Sequence, residues 1–452
     1  MITELITELK TEAMEHYFLA LADVIDGALA AGERYTASFN AEQTDFVRMN
    51  QGKVRQPGTV AQRYIAVRLI RGQRHAMHVL SLTGDLTVDG AAIRTLVAGL
   101  RAALPELADD PLLLLPADVK SSRAVRGGPL PPSEQVITDV LEAARGTDLV
   151  GIYAAGPVWR GFANSEGQRN WHESTTFNLQ WSLYYRTDKA VKSGHAGFNW
   201  DGAALRAKMN DARERLALIS RPAKSLVPGK YRAYLAPSAM EEIASLLCWG
   251  GFSGRALATQ QSALARMQAG ETLDARVSLT EDTGLGVAPA FQSEGFARPL
   301  RIPLIDRGAL VGSLVSPRTA REFGLTENGA NGAEMPESLS MAGGTLAESD
   351  ALAALGTGLA IGNLHYLNYS DRPACRVTGM TRFATFWVED GKVVAPVDVV
   401  RFDDTVYRLL GTSLEALTEE TELLLDSGTY QSRKLGSLRL PGALVGEMAF
   451  TL

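Results

Sequence analysis

Six histidines and two cysteines are the residues of this chain best suited to hold a metal. The histidines are His16, His75, His78, His172, His195 and His365, and the cysteines are Cys248 and Cys375. A zinc site on a helix needs two imidazoles at i, i+4 or i, i+5, so that both project from one face. No histidine pair here has that spacing. His172-Glu173 has the opening of a His-Glu peptidase motif, but Thr176 and Phe177 stand where a closing histidine belongs. His365 and Cys375 share a loop-rich region with no third ligand in reach, and a metal needs three or four. Cys248 lies in an apolar helix and reads as a small buried hydrophobe. The Gly-x-Ser-x-Gly elbow, the Walker loop and the dinucleotide fingerprint are all absent, and GLGVAPAF is a lone glycine turn. One stretch does have the outline of a catalytic frame: PSAMEEIASLLCWGGFSGR, residues 237–255. Ser238 is its predicted N-cap, Glu241 completes a capping box, and Gly250-Gly251 stops the helix. It holds no histidine.

The elements that would position such groups are those of an α+β protein. The chain has 452 residues, room for two or three domains, with 46% hydrophobic and 21% charged residues. A net charge of −6 leaves no broad basic surface for phosphates, which argues against nucleic acid as a direct partner. Two cysteines suit a reducing compartment. The N-terminal MITELITELKTEAMEHYFLALADV carries acids where a leader needs a basic region. No run approaches the ~20 apolar residues that cross a bilayer, so the expected location is cytoplasmic, with no membrane partner.

Leu5, Leu9, Ala13, Tyr17, Leu21, Val24 and Ala28 predict an opening amphipathic helix. Strands follow at DFVRMNQGKVRQ, RYIAVRLI and HAMHVLSL, with turns placed at QPG and RGQ, then a helix at GAAIRTLVAGLRAAL. Residues 108–132 read as a long connection, 133–145 as a helix and LVGIYAAG as a short strand. The clearest hairpin is VWRGFANSEGQRNWHESTTFNLQWSLYY. Its second strand puts Trp171, Glu173, Thr175, Phe177, Leu179, Trp181 and Leu183 on one face. His172, Ser174, Thr176, Asn178, Gln180 and Ser182 form a polar face opposite. LRAKMNDARERLALIS predicts another helix, and RPAKSLVPGK marks the boundary between domains 1–222 and 223–452. The second half opens with a strand, YRAYLAP, and the 237–251 helix. A helix over GRALATQQSALARMQAG and glycine-rich strands complete it.

Several stretches, in order, resemble the TldD/PmbA family over nearly the whole chain. They are NQGKVRQPGTVAQRYIAVRLIRG, the FANSEGQ hairpin, FQSEGFARPLRIPLIDRGALVGSLVSPRTAREFGL, PESLSMAGG and VTGMTRFATFWVEDGKVVAPV. The third includes Phe291, Glu294, Gly295, Gly308 and Leu314. The resemblance implies a mixed α/β N-terminal domain and a β-rich C-terminal domain. It also implies a dimer around a cleft where unfolded peptide is cleaved, the peptide being held as an added strand. TldD-type members carry His-Glu-x-x-x-His on a helix after a strand, with a distant cysteine as a further ligand. Laid on this chain, that motif puts Ser245 at the first histidine, Leu246 at the glutamate and Gly250 at the second histidine. Cys375 precedes VTG and does not match the expected cysteine. Leucine neither ligates a metal nor takes a proton, and glycine offers no side chain. The chain therefore resembles the TldE/PmbA type, with no catalytic residue, metal or cofactor of its own and with zinc expected in a TldD-like partner.

Two functions compete at this level. One is the non-catalytic subunit of a heterodimeric cytoplasmic metallopeptidase that degrades unfolded peptides or matures modified-peptide precursors. The other is a homodimeric peptide-binding or regulatory protein without peptidase activity. An enzyme built around His365 and Cys375 is a third and weaker reading.

Overall fold

Two mixed, largely antiparallel sheets, one from each half of the sequence, divide the chain between them. The computed structural model describes the backbone of residues 2–186 and 189–451, and side chains from residue 13 onward. The first half contains α1 (Ile2–Asp26), β1 (Arg34–Asn50), β2 (Lys53–Arg71), β3 (Arg74–Ser81), α2 (Leu86–Ala103) and β4 (Ser122–Arg126). It continues with α3 (Ser133–Ala143), β5 (Asp148–Asn164), β6 (Arg169–Arg186), β7 (Lys189–Gly197) and α4 (Gly202–Ile219). Its sheet runs β3-β2-β1-β5-β6, with β4 parallel to the start of β6 and β7 antiparallel to its end.

The second half contains β8 (Gly229–Leu235), α5 (Pro237–Cys248), α6 (Gly254–Ala258), α7 (Ala265–Gln268), β9 (Leu279–Asp282), β10 (Arg301–Asp306) and β11 (Ala309–Leu310). It continues with α8 (Pro317–Phe323), β12 (Ser338–Met341), α9 (Ala351–Leu355), β13 (Gly358–Asp371), β14 (Arg376–Glu389) and β15 (Lys392–Pro396). β16 (Arg401–Thr405), β17 (Leu414–Leu425) and β18 (Ser437–Phe450) complete it. Because β18 pairs with both β16 and β8, the strands β8-β13-β14-β16-β18 close into a ring. Closure removes two exposed edges, and α5 packs its apolar side on β13 and β18. The α+β class and the β-rich second half are as the sequence predicts.

Several local expectations are corrected. β2 runs straight through Gln56–Gly58, and the turn lies instead at Gln51-Gly52, both at positive φ (+53° and +65°). Positive φ at both central residues is the geometry a two-residue hairpin requires. Pro57 is tolerated because β3 pairs only with Tyr64–Arg71, leaving this part of β2 at an edge. α1 buries Phe18, Leu21, Ala22 and Ile25, a face rotated from the predicted one, while Ala13 is exposed. Leu5 and Leu9 lie outside the described side chains. The connection over 108–132 contains β4. The predicted helix over 254–270 is split into α6 and α7, with Gln260 at φ +55° between them.

The FANSEGQ hairpin forms as predicted, with Asn164 Oδ1 accepting from the backbone N–H of Glu166 and Gln168 across the turn. Both faces of β6 are buried, however. Its apolar face packs on the helices through Trp171, Phe177 and Trp181. Its polar face packs on the second half, where an apolar face would have had to cover irregular backbone. His172 Nε2 is 3.0 Å from the Val287 carbonyl, and Asn178 Nδ2 donates to Leu425 O (3.0 Å). Gln168 Nε2 donates to Gly295 O (2.8 Å), and Arg126 Nη2 to Gly284 O (2.8 Å). The amides and the guanidinium satisfy carbonyls of loop backbone that no sheet ladder could reach.

Candidate functional site

A cavity of about 320 Å³ opens between the two halves at the N-terminal end of α5. Pro237 sits at N1, where its fixed φ favours a helix start, and the N-cap is Ala236 with no side-chain bond. The capping box expected from Ser238 and Glu241 is therefore absent, and Glu241 turns its carboxyl into the cavity. β7 brings Lys192 and His195, α4 brings Lys208, Asp211 and Arg215, and β17 brings Glu420 and Glu422. Asn363 from β13 and Glu348 complete the polar lining.

Lys208 joins the halves. Its Nζ donates to Gly194 O (2.9 Å) on β7 and pairs with Glu422 on β17. Arg215 pairs with Asp211 within α4 (2.9 Å). Burial raises the Glu241 carboxyl to about 7, with Lys192 pulling it down and Glu242, Glu422 and Asp426 adding to the rise. Burial, with Glu422 and Glu420 nearby, also raises Glu348. Burial lowers His195, which stays neutral between Phe177 (4.9 Å) and Trp200 (5.4 Å).

A carboxyl raised in the folded chain binds a proton that the unfolded chain releases near the ordinary value of 4.5. Stability contributed by Glu241 thus declines as pH rises from about 4.5 to about 7, and is level on either side. Glu241→Gln removes the ionising group, so its stability relative to the parent chain should rise over that window and not beyond it. Urea unfolding of both proteins at pH 4.5, 6 and 8 measures this, and parallel curves would contradict it.

The other end of α5 carries the positions at which the family motif was laid. Ser245 is exposed, Leu246 is buried in the second-half core, and Gly250 lies past the last helical residue at φ +78°. The three do not converge on one space. Arg372 fills the gap there: its Nη2 donates to Trp249 O (2.8 Å), and its guanidinium stacks between the Trp249 and Tyr369 rings. A Cβ on residue 250 would lie 2.7 Å from that Nη2. Tyr369 Oη donates to Leu246 O (2.9 Å), tying the β13–β14 hairpin to the helix.

His172 is a buried strand residue, as its spacing predicts, and burial lowers it to about 4. Burial pushes the Cys375 thiol up to about 12 and raises Cys248 as well. No group of three or more His, Cys, Asp or Glu among the described residues is arranged to hold a metal. The donor set at Ser245, Leu246 and Gly250 does not fit zinc either. Sequence reasoning passed over His195, Glu241, Asn363 and Glu422 as cavity residues. The one available signal was an acid at position 241 in an otherwise apolar helical run.

Residues 228–452 match the family model for the PmbA/TldA metallopeptidase C-terminal domain. Among solved structures, the chain is similar to TldE from Thermococcus kodakarensis, at 14% identity and a TM-score of 0.76, over 97% of this chain and 100% of that one. A proposed modulator of a DNA gyrase from Thermotoga maritima matches at 12% identity and a TM-score of 0.72, over 97% and 100%. A proposed modulator of DNA gyrase from Bacteroides thetaiotaomicron matches at 17% and 0.72, over 95% and 97%. At these identities the likeness is one of fold. A comparison with curated proteins gives no match. Among the described residues, no helix is long and apolar enough to cross a membrane.

Proposed function

With residues 228–452 forming its C-terminal domain, the chain belongs to the TldD/PmbA family, and we propose that it is the non-catalytic, TldE-like subunit of a cytoplasmic metallopeptidase. In this reading it pairs with a TldD-like chain that supplies the zinc, and together they cleave unfolded peptides or modified-peptide precursors. One observation supports it: α5 and the strand ring it packs on are present, while the positions that the resemblance assigns to the motif hold Ser245, Leu246 and Gly250. Leu246 is packed in the core, and Arg372 occupies the space a side chain at 250 would enter. A cleft retained beside a helix without ligands suits a subunit that shapes a substrate path while chemistry proceeds elsewhere.

The purified chain should then hold no stoichiometric zinc by elemental analysis. It should also leave an unfolded protein substrate intact for hours. Chelator-sensitive cleavage by this chain alone would overturn the reading.

A further inference from the structure

We propose that the cavity between the two halves binds a primary ammonium group on an extended peptide, either its free N-terminus or a lysine side chain. The inference rests on the peptide reading above only for the molecule that carries the ammonium. Within the lining, Lys208 is paired with Glu422 and Arg215 with Asp211. Glu241, Glu348 and Glu420 form no close ion pair among the described residues, and nor does Lys192, whose charge acts on Glu241 from a distance. Acids in such excess around a partly closed space favour a positively charged occupant.

A second observation, independent of the acids, also points to a ligand. Asn363 is only 6% exposed on β13, yet its side-chain amide makes no hydrogen bond to any described residue. Asn363 lines the cavity, so an occupant can take up the bonds its amide leaves open. It offers an acceptor and two donors, which suit the C=O and N–H groups of peptide backbone next to an ammonium. Neutral His195, 9% exposed, likewise has an Nε2 without a partner.

Other occupants fit less well. The acids are spread around the cavity, and none of the described groups converges as a metal ion requires. An anion at the α5 start finds few donors: Pro237 has no N–H, and the Ala239 N–H is taken by Ala236 O (2.8 Å). An ammonium with several donors and a peptide behind it matches both the dispersed carboxylates and the amide.

Calorimetric titration of the full chain tests this with short alanine-serine peptide amides. One has a free N-terminus, one is N-acetylated, and one is N-acetylated with a single lysine. Acetylation should weaken binding by about tenfold or more, the worth of one desolvated charge contact. Recovery by the lysine peptide would assign the site to a side-chain ammonium, and no recovery to the N-terminus; both support the site. Glu241→Gln and Asn363→Ala should each weaken the charged probe, while Lys192→Glu, at an exposed position, should tighten it. If the buried variants fail to fold, the probe series on the parent chain and on Lys192→Glu decides. Equal binding of all three peptides, binding of none, or indifference to Lys192→Glu would overturn the proposal. Capture of a TldD-like partner would be unaffected by such a failure, so the two readings fall separately.

Discussion

Replacing Arg433 by alanine should cost about 3–5 kcal/mol of stability and loosen the two halves from each other. Arg433 is 7% exposed and comes from the loop between β17 and β18, deep in the second half of the sequence. Its guanidinium crosses to the first half, donating to Gly156 O (2.8 Å), Thr176 O (3.1 Å) and Thr176 Oγ1 (2.6 Å). Its own backbone N–H donates to Glu42 (3.1 Å). Burial lowers the guanidinium to about 10, with Glu42 opposing that shift, so it remains charged at neutral pH. Alanine would strand two buried carbonyls and a hydroxyl without solvent to replace the lost donors. A lower urea midpoint, together with faster tryptic cleavage at Lys224 in the connecting segment, is the expected result. An unchanged midpoint would mean the interface is wet and the arginine dispensable.

Gly295→Ala is expected to cost about 3 kcal/mol through two separate terms. Gly295 sits at φ +91°, where an alanine is strained whatever space surrounds it. A Cβ there would also lie 2.3 Å from Cζ of Phe162, a fully buried ring on β5. Neither neighbour can yield easily, since the Gly295 carbonyl is held by Gln168. Adding Phe162→Ala should return the steric part but not the strain, so the double variant would fall short of the summed costs. Thermal unfolding of the two single variants and the double variant measures this coupling; strict additivity would show that the loop relaxes away from the ring.

These two positions explain what the sequence could and could not disclose. Arg68, Phe162, Gln168, Glu294 and Gly295 belong to the stretches on which the family resemblance rests, and all meet at the interface between halves. Such stretches report architecture because close backbone approach and buried hydrogen bonds demand particular residues. The hairpin of β5 and β6 was legible for the same reason, through strict alternation ended by an Asn-Ser-Glu-Gly turn. The polar face of β6 was visible as a pattern, but its burial was not, because alternation cannot say what covers a face. The cavity was hidden more completely. Glu241, His195, Asn363 and Glu422 come from four elements far apart in sequence, and only the seating of β7 against β17, and of α5 against β13 and β17, gathers them. Local rules also misread the start of α5, where Pro237 at N1 outcompeted Ser238 as the starting signal and freed Glu241 to face the cleft.

Whether this chain is half of a peptidase is best tested by tagged capture from its native cells, with every stoichiometric companion identified by mass spectrometry. The account predicts one partner of the same fold bearing His-Glu-x-x-x-His, and zinc recovered with the pair in an amount of one per heterodimer. Recovery of the chain with itself alone, free of any such partner, would contradict the account and favour a homodimeric binding or regulatory protein.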